Sequence, residues 1–122
     1  MMSKHPLDLP LNRKLTLDEI MEALRLSIIA ELDAVNLYLQ LARSIDDEKV
    51  RRVFEDIANE EKTHIGEFLA VLESLDPQQV EELKRGAEEV RELTGISSPQ
   101  GRGAGVGTKN SDGSNTSEDP RA

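Results

Sequence analysis

A carboxylate and an imidazole three residues apart, Glu61 and His64, stand in a stretch whose apolar residues recur at helical spacing. On a helix, positions three apart are neighbours on one face. The face that holds Glu61 also holds Phe54, Ile57, Ala58, Ile65 and Phe68. Burying a bare carboxylate and a bare imidazole there would cost several kcal/mol. A metal ion is the most economical compensation, because carboxylate oxygen and imidazole nitrogen are both metal donors. A second carboxylate, Glu31, has the same problem one helical stretch earlier, among Leu24, Ile28, Ala34, Val35 and Tyr38. The alternative for Glu61 and His64 is a mutually hydrogen-bonded pair in a helical core.

The elements that must position these residues follow from capping signals and periodicity. Thr16-x-x-Glu19 is a capping-box pattern, and Asp18 and Glu19 suit a helix N-terminus. The spacing predicts a first helix from there to about Ser44, with Ile20, Leu24, Ile28, Val35, Tyr38 and Ala42 on one face. Leu26, Ile29, Leu37, Leu39 and Leu41 widen the apolar arc, which implies contact with more than one partner helix. Asp46 and Asp47 mark a turn and an N-cap. A second helix then runs to about Leu75, and so short a connection makes the two helices antiparallel neighbours. Asp76-Pro77 ends it and starts a third helix, with Asp as N-cap and Pro at the first position. Val80, Leu83, Ala87, Val90 and Leu93 carry that helix to about Thr94, and Gly95 is a natural C-terminal cap. Gly86 within it costs about 1 kcal/mol relative to Ala and marks close packing or a bend.

Residues 1–15 contain Pro6 and Pro10 and read as an extended arm, packed through Leu7, Leu9 and Leu11. His5 in that arm is incidental. Residues 16–96 form the helical domain, and residues 97–122, rich in Gly, Ser, Asn and Thr, read as a flexible tail or linker. The expected class is therefore all-α: an antiparallel two-helix hairpin plus a shorter third helix. Such a core is thin for a monomer, so oligomerisation is expected.

The net charge of −9 lies in residues 1–96, where 21 acids face 12 bases. That excludes the basic footprint a nucleic-acid partner requires and favours cations. Without cysteine there is no disulfide, thiolate site or cysteine nucleophile. No apolar run reaches membrane-spanning length and no signal-peptide pattern precedes the first helix. The expectation is a soluble cytoplasmic protein with no membrane partner.

In di-iron carboxylate bundles, two helices give a Glu each and two give Glu-x-x-His. This chain has one of each, Glu31 and Glu61-x-x-His64, which is half of such a site. A two-fold axis would bring residue 61 of one chain near residue 61 of another. The same homodimer would complete a four-helix bundle from two hairpins. Four carboxylates and two imidazoles suit iron or manganese better than structural zinc.

The segments AELDAVNLY and ANEEKTHIGEFLAVLESLDP resemble the encapsulated ferritins, especially the archaeal ferritin-like domain fused to an encapsulin shell protein. The resemblance covers roughly residues 16–96. It implies a ferritin-like bundle and a ferroxidase that oxidises Fe²⁺ to Fe³⁺ with dioxygen or peroxide, for iron storage or detoxification. Glu31, Glu61 and His64 then match the catalytic iron ligands, with two irons per dimer and Glu61 bridging. Tyr38 matches a tyrosine beside the iron, and Asp33 matches a proposed metal-uptake carboxylate. The chain departs from the family at Ala30, where many members carry an acid, and at Leu37, where they often carry Trp. The resemblance also implies a ring of dimers, commonly a decamer, inside an encapsulin nanocompartment in the cytoplasm.

Two other functions remain open from the residues. One is a rubrerythrin-like di-iron protein that reduces peroxide, although no rubredoxin-type thiolate module is present. The other is a non-catalytic helical assembly module whose acids are structural. The tail is either a targeting tether or a linker towards a shell domain, and Ala104-Gly105-Val106-Gly107 is only a faint echo of an apolar targeting peptide.

Overall fold

The computed structural model describes residues 12–99, and these contain three α-helices and no strand. The helices are α1 (Leu17–Ser44), α2 (Glu48–Leu75) and α3 (Pro77–Thr94). The all-α class expected from the periodicity, a two-helix hairpin plus a shorter third helix, is the class observed. The arm leucines, His5 and the glycine-rich tail lie outside the described residues.

Each helix boundary has a local cause. Thr16 has extended backbone, and its hydroxyl accepts from the Glu19 N–H at 3.2 Å, while the Glu19 carboxylate accepts from the Thr16 N–H at 2.9 Å. Both orphan donors are thereby satisfied at once. Arg13 grips the same carboxylate through both terminal nitrogens, at 2.9 and 2.8 Å. The Asp47 carboxylate caps α2 by accepting from the Val50 N–H at 3.0 Å. Three residues, Ile45–Asp47, turn the chain between α1 and α2.

The hairpin, residues 12–77, is one compact unit. Its cross-helix contacts form an antiparallel ladder. Tyr38 meets Phe54 near the turn, Glu31 meets Glu61 and His64 midway, and Arg25 meets Asp76 at 2.6 Å towards the open end. The fully covered apolar side chains are Val35 and Ala42 from α1 and Ala58 and Leu72 from α2. Two of the four are alanines, and small residues at a helix contact bring the axes close.

Large apolar side chains also lie outside this seam. Ile29 and Leu32 are exposed on one flank of α1, and Leu37 and Leu41 on the other, as about 100° per residue dictates. The apolar arc of α1 is thus as broad in the structure as its sequence pattern suggests, and one α2 cannot cover it.

Among the described residues, 78–99 belong to the second unit. No residue of α3 is buried. The helix ends at Gly95, whose φ of 82° lies in the left-handed region where glycine carries no steric penalty. A Cβ at Gly86 would meet nothing within 4 Å, so close packing within the chain is not the reason for that glycine.

Candidate metal centre

Glu31 projects from the middle of α1 one turn before the buried Val35, and Glu61 projects from α2 one turn after the buried Ala58. Both carboxylates therefore leave the backbone beside buried positions of the seam. His64 follows one turn later on α2. The structure brings all three together: one ligand atom from each lies within 4.8 Å of the others. They are the group of that kind found among the described residues.

The imidazole Nδ1 of His64 is 3.0 Å from Glu61 Oε1 and 3.5 Å from Glu31 Oε2. An ionised carboxylate can only accept, so Nδ1 carries the hydrogen in this arrangement. The side chains of Glu31 and Glu61 are 18% and 17% exposed, whereas that of His64 is 45% exposed. The carboxylates are mostly covered, and access to the cluster is over the histidine ring.

The three groups compete for protons. A hydrogen bond shared with Glu61 raises the pKa of Glu31, and burial and the charge of Glu61 add to the rise. The other side of that bond, together with the bond from His64, lowers Glu61. His64 is raised by its hydrogen bond to Glu61 and by the charges of Glu31, Glu61 and Glu67. The two carboxylates thus shift apart, Glu31 up and Glu61 down, the pattern of two acids in one site. No Lys or Arg enters this set. Two carboxylates and an imidazole converging without a cation form a donor set that fits a divalent metal of the iron or manganese type.

The remaining sequence-predicted residues stand outside the cluster. Tyr38 packs against Phe54 with ring centroids 6.1 Å apart and planes at 51°, and no hydrogen bond joins its hydroxyl to the three donors. Each ring lies one heptad from its helix's glutamate, so the aromatic layer is about 10.5 Å along the axis from the polar one. Asp33 is exposed on α1 and is not part of the group. Glu67, which the sequence analysis did not single out, adds its charge to His64. Its spacing of three from His64 was the available signal.

Comparison with known proteins places these features in a context. The rubrerythrin family profile matches residues 22–96. The chain is 57% identical over 96 residues to a ferritin-like-encapsulin shell fusion protein of Pyrococcus furiosus, covering 79% of this chain and 28% of that protein. It is 35% identical over 82 residues to the encapsulin nanocompartment cargo protein EncC of Myxococcus xanthus, covering 67% of this chain and 63% of the relative. The crystal structure of the encapsulated ferritin domain from Pyrococcus furiosus superposes with a TM-score of 0.72 at 55% identity, over 80% of this chain and all of that one. The chain spans less than two thirds of the length of both curated relatives.

Proposed function

The chain belongs to the rubrerythrin family and, within it, to the encapsulin-associated ferritin-like proteins, and from that premise we propose that it is a ferroxidase with a di-iron centre shared between two copies. The observation that carries this reading is the convergence of Glu31, Glu61 and His64 within 4.8 Å at the middle of one hairpin, with no Lys or Arg among them. Two such half-sites related by a two-fold axis give four carboxylates and two imidazoles. Exposed Val53 and Val71 flank the helix surface that bears His64, which is apolar cover for a second hairpin. The apolar flanks of α1 provide further surface from which dimers build a ring.

Iron held there would supply the redox chemistry, each Fe²⁺ giving one electron to dioxygen or peroxide and ending as Fe³⁺. The protein's part is charge and proton handling. A cation held between Glu31 and Glu61 would relieve the crowding of their two carboxylates. The Nδ1 hydrogen of His64 leaves or moves to Nε2, freeing the Nδ1 lone pair. Ionised carboxylates then offset the charge gained on oxidation. Tyr38 and Phe54 close the apolar layer next to the centre on the turn side, and Asp33 has only an uptake role from the exposed side of α1. The relatives' names refer to encapsulins, and residence in an encapsulin compartment belongs to this proposal.

The match to the rubrerythrin profile favours one second reading, in which peroxide rather than dioxygen is the physiological oxidant. The test is an anaerobic Fe²⁺ titration followed by native mass spectrometry and then addition of either oxidant. Two irons per dimer, lost in Glu61→Ala and His64→Ala, with rapid Fe³⁺ formation, is the expected result. Faster oxidation by peroxide than by dioxygen selects the second reading. Absence of stoichiometric binding, with assembly unchanged in both variants, rejects both in favour of a structural polar cluster.

A further inference from the structure

The three donors are open to solvent on one side only. The carboxylates of Glu31 and Glu61 are mostly covered, and the half-exposed ring of His64 forms the open side. A cation that reaches the carboxylates from solvent passes over that ring, so the groups bordering the ring decide what it meets first. Glu61, His64 and Glu67 follow one another at intervals of three on α2. Each therefore stands about 60° further round the helix than the last. Glu61 lies against α1, His64 at the margin and Glu67 in the open. Val53 and Val71, the apolar cover for a second hairpin, lie about 40° nearer the seam than Glu67, which places Glu67 at the rim of that contact.

Glu67 is a carboxylate without a counter-charge of its own. No Lys or Arg among the described residues is paired with it, and its helical neighbours Thr63, His64, Ala70 and Val71 include no base except the imidazole. Its charge is one of three that act on His64. Asp33 differs in position. It follows Glu31 by two residues, which is about 200° round α1, and is exposed away from the cluster. We propose that Glu67 is the guiding carboxylate of the centre, drawing divalent cations to the open side of His64 and passing them to Glu61 and Glu31 without staying as a ligand. The proposal rests on the ferroxidase reading in one respect, that the cluster takes up iron. A fixed charge at the mouth of a site raises the local cation concentration and the association rate, and salt screens the effect.

The chain has one tyrosine and no tryptophan, so quenching of Tyr38 fluorescence reports iron arriving in the same hairpin. The experiment mixes the full chain with Fe²⁺ anaerobically in a stopped-flow instrument and counts bound iron by native mass spectrometry. Glu67→Gln should keep the wild-type stoichiometry and bind about fivefold more slowly at low ionic strength, with the difference shrinking at about 0.5 M salt. Glu67→Asp should keep most of the rate. Glu55→Gln, which removes the same charge from the opposite face of α2, should leave it unchanged. Equal slowing by Glu67→Gln and Glu55→Gln would reduce the effect to net charge, and greater slowing by Asp33→Asn would move the approach to α1; either overturns the proposal. Loss of bound iron in Glu67→Gln would make Glu67 a ligand, and an unchanged rate would remove its role, which overturns it as well. If the unaltered chain binds no stoichiometric iron, the ferroxidase reading falls with this one. Normal stoichiometry with an unchanged rate in Glu67→Gln rejects guidance alone.

Discussion

Two glutamate clusters in α1 and α2 answer the same electrostatic problem in opposite ways. At the start of α1, Glu19 accepts from both terminal nitrogens of Arg13 and from the Thr16 N–H, and its carboxyl falls to about 2. Every demand of that carboxylate is met by the chain itself. Midway along the hairpin, Glu31 and Glu61 face each other beside a histidine, and Glu31 is driven up by its hydrogen bond to Glu61, by burial and by the charge of Glu61. The first cluster is closed and serves the fold. The second is short of positive charge, and the shortage is what a metal would fill. The partner of each carboxylate, an arginine for Glu19 and a second carboxylate for Glu31, distinguishes the cap from the candidate site.

The largest test of this contrast is a matched pair of substitutions. Glu31→Gln removes a crowded acid and should abolish stoichiometric iron binding while the metal-free protein melts at the same or a higher temperature. Glu19→Gln removes a satisfied acid and should lower the melting temperature with iron binding intact. Equal losses of stability in both would erase the distinction. Next in size is Ala58→Leu, which forces a larger side chain into a fully covered position at the seam. Overpacking of this kind costs about 1–3 kcal/mol, and it should also separate Glu31 from Glu61, so denaturant melts and iron titrations should fall together. Thr16→Ala should cost about 1 kcal/mol through loss of the cap and leave the iron stoichiometry unchanged.

Acid denaturation sharpens the contrast further. Because the folded carboxyl of Glu19 lies at about 2, below its unfolded value near ~4.3, it favours folding above the unfolded value. That contribution fades as pH falls from about 4.3 towards 2. Arg13→Gln lifts the folded value towards the ordinary one, so the acid midpoint followed by circular dichroism should move to higher pH. The smallest effect is expected from Tyr38→Phe. Its hydroxyl has no hydrogen bond to lose among the described residues, so stability and iron stoichiometry should both hold. A large drop in iron binding would show that the hydroxyl takes part once the centre is complete.

Much of this arrangement was legible in the sequence because its causes are local. Thr16 with Glu19, Asp47 and Gly95 announce the helix limits through backbone capping, which needs only neighbouring residues. Glu31, Glu61 and His64 stood out as polar residues on apolar faces, and the hairpin gathers them because each face turns inward. What the sequence concealed depends on register. The ion pair between Arg25 and Asp76 joins positions 51 residues apart, and no periodicity links them. Asp76 was expected as an N-cap for α3, and its carboxylate also holds α1 in this way. Arg13 lies before any helical period begins, so its grip on Glu19 was invisible to pattern. Gly86 suggested packing or a bend, yet a Cβ there would meet nothing within 4 Å.

The three-residue turn Ile45–Asp47 has a kinetic consequence. All three donors come from the two helices that it joins, so a half-site forms through a contact order set by one hairpin. Helical hairpins with near-neighbour contacts fold on the fast side of the two-state range. Assembly of the three-donor cluster is therefore unimolecular and independent of protein concentration, whereas completing the proposed two-chain centre would wait for a collision between chains. In a dilute cell extract the second event governs the rate, and raising the local concentration of the chain would accelerate maturation without changing a single contact within it.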